Sequence, residues 1–280
     1  MWSRRMFIVG CLFLLTACQT EKSPQGKLSI GVVSFGEKEL SLEKYSELKQ
    51  HLASKLNKII ELEPTYNEVQ ALQQIERQSW DLIIAPPGLA AIAIVQSNYQ
   101  PIFSLEGVLN TRSIIVVQDS SPIQKLSDLN NQIIALGQPG SATGYYLPIY
   151  NLYGLTLAEV LIAPTPKTIL EWITEGKVVA GALSFEEFNR YRADFPATQF
   201  RILYTDSHEV PSGAILANPN LDPQPLEQLK SALSNVSGAI ASSAGYLPNA
   251  PIPDYEYLIE VVNRVTPIAG KIKEKPAHLY

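Results

Sequence analysis

The chain has 280 residues, with 22 Lys and Arg against 27 Asp and Glu, and a formal net charge of −5. An acidic balance without a strong basic cluster excludes nucleic acid as a partner, since neutralising phosphates takes grouped Lys and Arg. Two Cys and three scattered His (His51, His208 and His278) leave no thiolate or imidazole metal centre, so neither metal nor cofactor is expected.

In chain order, the first segment reads as an export signal. Arg4 and Arg5 precede an apolar run from Met6 to Leu15, and small residues follow. That run is far shorter than the roughly 20 residues a membrane-spanning helix needs. The residues Leu15-Thr16-Ala17-Cys18 resemble the bacterial lipobox, in which the Cys receives a diacylglyceryl group and becomes the first residue. The alternative is an ordinary cleaved signal that ends near a Cys. Loss of residues 1–17 removes two basic residues and no acid, leaving 20 against 27, or −7. Residues 18–27 then form a lipidated, polar tether.

The rest alternates strand and helix patterns, which implies an α/β fold. Leu28 to Phe35 is an apolar strand. Ser41 caps a helix in which Leu42, Tyr45, Leu48, Leu52 and Leu56 recur at helical spacing. Lys58 to Glu63 is a strand ended by Pro64, and Asn67 caps a helix carrying Val69, Leu72 and Ile75. Asp81 to Ala85 is a third strand, stopped by Pro86-Pro87-Gly88 before an Ala/Ile-rich helix. After Gly107 the style restarts, with strands at Ser113 to Gln118, Gln132 to Gly137, Val178 to Ser184, Phe200 to Thr205 and Ala214 to Ala217. Helices are expected from Tyr145 to Tyr153, Pro166 to Gly176, Phe185 to Tyr191, Pro223 to Ile240 and Asp254 to Val265. Two such lobes in one exported chain suggest a hinged receptor with its ligand between them.

The segment Gly137-Gln138-Pro139-Gly140-Ser141-Ala142-Thr143-Gly144-Tyr145 runs from a buried strand through small residues into a helix. A helix start exposes unpaired N–H groups and the positive end of its dipole, and Ser141 and Thr143 add hydroxyls, an ensemble that suits an oxyanion. Equally, the two hydroxyls merely cap the helix.

Gly140-Ser141-Ala142-Thr143-Gly144-Tyr145, with Pro148 beyond it, resembles the Ser-Thr-Ser-Gly-(Tyr/Phe)-x-x-Pro signature of phosphate/phosphite/phosphonate-binding receptors of ABC transporters. Gly31 to Ser34, Pro64-Thr65-Tyr66, Asp81 to Gly88 and Ser113 to Leu129 agree with that family in order and spacing. The resemblance implies a two-lobed type 2 periplasmic-binding-protein fold, each lobe a mainly parallel sheet flanked by helices, with the ligand cleft between lobes. It divides the mature chain into a first part of lobe one at 28–110, lobe two at 111–210, and a return strand with C-terminal helices completing lobe one at 211–280.

By the same resemblance Gly140, Ser141 and Thr143 hold the anion, Ala142 offers only its backbone N–H, and Ser34 and Gly88 join the ligand-binding set. Tyr66 matches an aromatic that lines the pocket, its alternative being a core tyrosine. Thr111 falls where many relatives have a pocket Tyr. Arg112 beside it either supplies charge to the anion or lies on the surface. Lys167 aligns near a His that contacts the ligand in some relatives, or is a solvated helix start. No acid follows Pro211, and Glu186 and Glu187 are as compatible with a solvated helix face as with an amine site, so an aminophosphonate is not expected.

The implied role is an exported, lipid-anchored monomer that captures a small phosphorus oxyanion and presents it to an ABC permease and ATPase. It would sit on the outer face of the cytoplasmic membrane, or at the outer membrane. A ligand sensor of the same fold is the alternative. Catalysis is not expected: Ser41-x-x-Lys44 and Ser46-x-x-Lys49 fit a Ser-x-x-Lys nucleophile motif, but both lie on an amphipathic helix and its companion motifs are missing.

Overall fold

The computed structural model describes residues 26–33, 42–65, 67–107 and 111–280; Cys18, Ser34, Tyr66 and Ser41 lie outside the described residues. Lobe one is built first by β1 (Lys27–Val33), α1 (Ser46–Leu56), β2 (Ile59–Thr65), α2 (Glu68–Glu76), β3 (Leu82–Ala85), α3 (Pro87–Ser97) and β4 (Gln100–Leu105). Lobe two follows with β5 (Ser113–Gln118), β6 (Ile133–Leu136), α4 (Leu147–Asn151), β7 (Thr156–Leu157), β8 (Glu159–Ile162), α5 (Pro166–Thr174), β9 (Ala180–Ser184), α6 (Phe185–Tyr191) and β10 (Phe200–Thr205). The chain then returns through β11 (Ala214–Ala217), α7 (Pro223–Ser234), α8 (Gly238–Ala244), β12 (Tyr246–Leu247), α9 (Glu256–Ala269) and β13 (Ala277–His278).

The lobe-one sheet has the order β12-β4-β11-β3-β1-β2, and the lobe-two sheet β10-β5-β9-β6-β8. Each has a parallel centre, β3-β1-β2 and β9-β6-β8, extended by antiparallel strands where the chain arrives from the other lobe. Pro64 does not end β2: it pairs with Val32 inside the strand. An edge position allows this, because the side lacking an N–H faces no partner. The strands β7, β12 and β13 have two residues each and β8 four, too few to show an alternation, and in β4 Pro101 interrupts the strand pattern. The expected helix from Pro223 to Ile240 is two helices, broken at Asn235 to Ser237, where the Ser237 side chain accepts from Ile240 N and starts α8.

Ile30 and Val32 of β1, Leu48 and Leu52 of α1 and Leu229 and Leu233 of α7 form one core, on one face of lobe one. Ile114, Val116 and Ala135 with Ile169, Leu170 and Ile173 of α5 form another in lobe two. Each fully buried Leu or Ile contributes about 1.5–3 kcal/mol relative to exposure. A third and larger cluster joins the lobes, with α3, α9 and the helical stretch from Ala142 to Asn151 between the two sheets. The C-terminal region therefore divides: α7 and α8 complete lobe one, α9 packs on both α3 and α4, and Ala277 pairs with Leu157 of β7.

The chain passes from one lobe to the other between β4 and β5 and returns between β10 and β11, and Val210 N on the return donates to Thr111 O at the entry to lobe two at 2.8 Å. The carboxyl ends of β1, β3 and β6 face the cleft beside these crossings, where ligands bind in open α/β sheets.

Candidate functional site

The loop after β6 is locked by its own sequence. Pro148 has no N–H to give the carbonyl four residues back, so Gly144 O instead accepts from Gly137 N at 2.8 Å. Tyr146 N and Leu147 N reach back five residues, to Ser141 O and Ala142 O, so the helix opens on a π turn. Ser113 Oγ donates to Thr143 O at 2.6 Å and pins this turn to β5. Ser141 Oγ accepts from Gly144 N at 3.0 Å, so it caps the helix and keeps its own proton for another acceptor. The Ala142 and Thr143 amides make no hydrogen bond among the described residues, as expected at a helix start.

Lobe one closes on this loop at Gly88, in the first turn of α3. A Cβ there would stand 2.0 Å from Gly140 O and 2.6 Å from Ala142 N, so only glycine allows the backbones to meet. Gly140 has φ +127, and a Cβ on it would press on Glu68 Cβ at 3.0 Å.

Two small chambers flank this contact. One of about 140 Å³ is lined by Glu68, Gln138, Ser141, Thr165 and Glu187. The other, about 190 Å³, is lined by Glu68, Gly88, Thr111, Ser141, Thr143 and Glu187. Both fall below the ~300–1,000 Å³ of drug-sized sites and suit a ligand of few heavy atoms. A more open cavity of about 540 Å³ continues outward past Ser184, Glu186 and Glu187 to Lys44 and Arg190.

The structure thus brings together Gly88, Thr111, Gly140, Ser141, Ala142 and Thr143. It places Arg112 and Lys167 elsewhere. Arg112 Nη1 donates to the carbonyls of Asp206 and Ser207 at 3.1 and 2.6 Å, and Nη2 meets Glu209 Oε1 at 3.1 Å. It clamps the second crossing, because the fork of a guanidinium suits several nearby acceptors. Lys167 Nζ pairs with Asp194 at 3.0 Å beside α6, and the residue lines none of the three cavities.

Reading the sequence alone misses Glu68. Of the Val69, Leu72 and Ile75 face expected to turn inward, Ile75 is buried and Leu72 packs on the core, but Val69 is 48% exposed and Glu68 only 4%. No hydrogen bond reaches its carboxyl among the described residues. Burial first, and the Glu187 carboxylate second, push the Glu68 carboxyl well above the ordinary carboxylate range. Glu187 itself is anchored: Ser184 N donates to its Oε2 at 2.8 Å, while Ser184 Oγ accepts from Glu187 N at 3.1 Å. That Ser-x-x-Glu capping box is visible in the sequence and could have placed Glu187 at a helix start facing the cleft. Oε2 of Glu186 is buried without a hydrogen-bond partner among the described residues. Behind the loop, burial raises the Tyr145 hydroxyl to about 12, so it stays neutral.

The model of a family described as the periplasmic substrate-binding protein of phosphonate ABC transporters matches residues 30–254. A comparison with curated proteins gives no match. Among solved structures, a Xanthomonas citri protein bound to ATP is 20% identical, with a TM-score of 0.70 over 86% of this chain and 98% of that one. The PhnD1 protein of Prochlorococcus marinus in complex with methylphosphonate is 18% identical, with a TM-score of 0.63 over 86% and 98%. A binding protein component of an ABC phosphonate transporter from Pseudomonas aeruginosa is 13% identical, with a TM-score of 0.62 over 88% and 89%. At these identities the likeness establishes the fold, the two-lobed periplasmic-binding-protein architecture.

Proposed function

The chain belongs to the family of periplasmic substrate-binding proteins of phosphonate ABC transporters, and on that premise we propose that it captures a small phosphorus oxyanion between its lobes. Phosphate, phosphite and a simple phosphonate such as methylphosphonate are the candidates. The observation that carries this reading is the joint offer of free Ala142 and Thr143 amides with the Ser141 and Thr143 side chains at a chamber of about 190 Å³. Dipoles at a helix start hold an anion without a formal positive charge. Closure of the Gly88 turn onto Gly140 excludes water and strengthens those hydrogen bonds. The loaded protein then delivers its ligand to a permease and ATPase, as a transport component rather than an enzyme, and as a monomer.

The lipid on Cys18 is part of the same reading, and is supported by the Leu-Thr-Ala-Cys sequence after the apolar run. More than one acyl chain gives lasting attachment, keeping the cleft in solution at the outer face of the cytoplasmic membrane. Cys18→Ser should move the protein from the membrane to the soluble fraction; retention at the membrane would sink the anchor.

A thermal-shift panel of phosphate, phosphite, methylphosphonate, 2-aminoethylphosphonate and sulfate tests the ligand class. A ligand at about 1,000 times its Kd stabilises by about 4 kcal/mol, or roughly 8–16 °C for a chain of this size. If no phosphorus oxyanion moves the melting curve, the reading fails. Ser141→Ala with Thr143→Ala should abolish any shift seen.

A further inference from the structure

The chambers built around Ser141 hold two carboxylates and no cation. Glu68 enters from α2 and Glu187 from α6, and neither chamber is lined by a Lys, Arg or His among the described residues. Lys44 and Arg190 stand in the outer cavity, past Ser184. Among the described residues the other titratable group facing Glu68 is Tyr146, whose hydroxyl is raised by burial, by Tyr145 and by Glu68 itself. The start of α2 does not rescue the charge on Glu68, because the Gln70 amide is already taken by Asn67 Oδ1 at 2.8 Å. Glu187, by contrast, has a donor, since Ser184 N reaches its Oε2. An oxyanion entering this space adds negative charge to a pair that already repels.

We propose that Glu68 is the specificity-determining residue of this site: with the lobes closed it carries a proton, and its O–H donates a hydrogen bond to an oxygen of the anion held at Ser141. The inference rests on the oxyanion reading above and adds to it a donor and a proton. Ala142 lacks the hydroxyl that its family signature has at that position, and Glu68 lines the same chamber as Ala142, so the carboxyl O–H restores the missing side-chain donor. The site thereby selects an anion rich in acceptor oxygens, and its capture takes up a proton from solvent. The sign follows from linkage. Burial already holds the Glu68 carboxyl above the ordinary carboxylate range in the free protein, and the negative charge of an anion bound beside it raises it further. Affinity is then greatest below the free-protein value and falls by up to about tenfold per pH unit until the ligand-bound value is passed.

Titration calorimetry of wild type and Glu68→Gln with methylphosphonate and with phosphate, from about pH 5.5 to about 8.5 in two buffers of different protonation enthalpy, tests this. The ligand's own titration is common to both proteins and cancels in their ratio. Wild type should take up more protons than Glu68→Gln, and its affinity should fall relative to the variant as pH rises. Glu68→Leu, which removes the donor, should bind at least about tenfold more weakly than Glu68→Gln at every pH. Equal proton counts and parallel pH slopes in wild type and Glu68→Gln overturn the inference and leave the oxyanion reading standing; so does a Glu68→Leu protein that binds as well as Glu68→Gln. Capture of 2-aminoethylphosphonate alone, without proton uptake, also overturns it, since an ammonium group would then neutralise the pair. If no phosphorus oxyanion binds wild type at any pH, both fail. Glu68→Leu also lacks the titrating carboxyl, so its proton count serves the same comparison if Glu68→Gln folds poorly.

Discussion

Replacing Gly88 by Ala probes the closure of the lobes with a single methyl group. The added Cβ would stand 2.0 Å from Gly140 O and 2.6 Å from Ala142 N. Unstrained heavy atoms keep about 3.5 Å, so the lobes must part by on the order of 1 Å. Both opposing atoms are backbone, in a loop pinned by Gly137 N on Gly144 O and by Ser113 Oγ on Thr143 O. No side-chain rotation relieves the overlap. Overpacking of this kind costs about 1–3 kcal/mol. Within the first turn of α3 alanine is the better helix former, so lobe one by itself loses nothing. The cost falls on the closed form, and ligand affinity should drop by about 5- to 150-fold. Titration calorimetry with the tightest ligand of the oxyanion panel reads the loss. Gly238→Ala, whose Cβ meets nothing within 4 Å, is the control and should bind as wild type. A Gly88→Ala protein that binds within about twofold of wild type would refute the argument that this contact is the closed state of the receptor.

Other perturbations separate the site from its scaffold. Because Glu68 is held above its unfolded value, the stability it lends is complete below about pH 4.3 and is lost as pH rises toward the folded value, by up to about 1.4 kcal/mol per unit. Glu68→Gln should therefore leave the melting temperature unchanged near pH 4 and raise it near pH 8; a shift of the same size at both ends would contradict the burial argument. Arg112→Ala removes the clamp on the Asp206 and Ser207 carbonyls, and should lower stability by about 1 kcal/mol, since the Glu209 pair is partly solvated. Its oxyanion affinity should stay within about threefold; a tenfold loss by calorimetry would return Arg112 to the site. Gly31→Ala drives a Cβ to 2.2 Å from the Trp80 ring, which is itself held by Nε1 donating to Glu63 Oε2. Melting should fall by roughly 2–12 °C while the ligand-induced shift persists.

Local chemistry was readable from the chain alone. β5, α6, β10 and β11 begin and end where their apolar runs and caps imply, because those signals act over a few residues. The Gly140–Tyr145 loop was recognisable for the same reason, since glycines, hydroxyls and a following Pro148 act on neighbouring backbone. Gly88 and Thr111 were expected in the site by family likeness alone, and the fold brings both to the chamber beside Ser141. What the sequence could not decide was which way long or amphipathic side chains turn. Arg112 finds its acceptors at Asp206, Ser207 and Glu209, and Lys167 finds Asp194, partners supplied by the return of the chain. Most clearly, the rotation of α2 is settled by α3 and by Gly140, on which the Glu68 side chain packs. A helical pattern offers several faces, and only the elements brought against it choose one. Here that choice left Val69 in solvent and sealed the Glu68 carboxyl into the cleft.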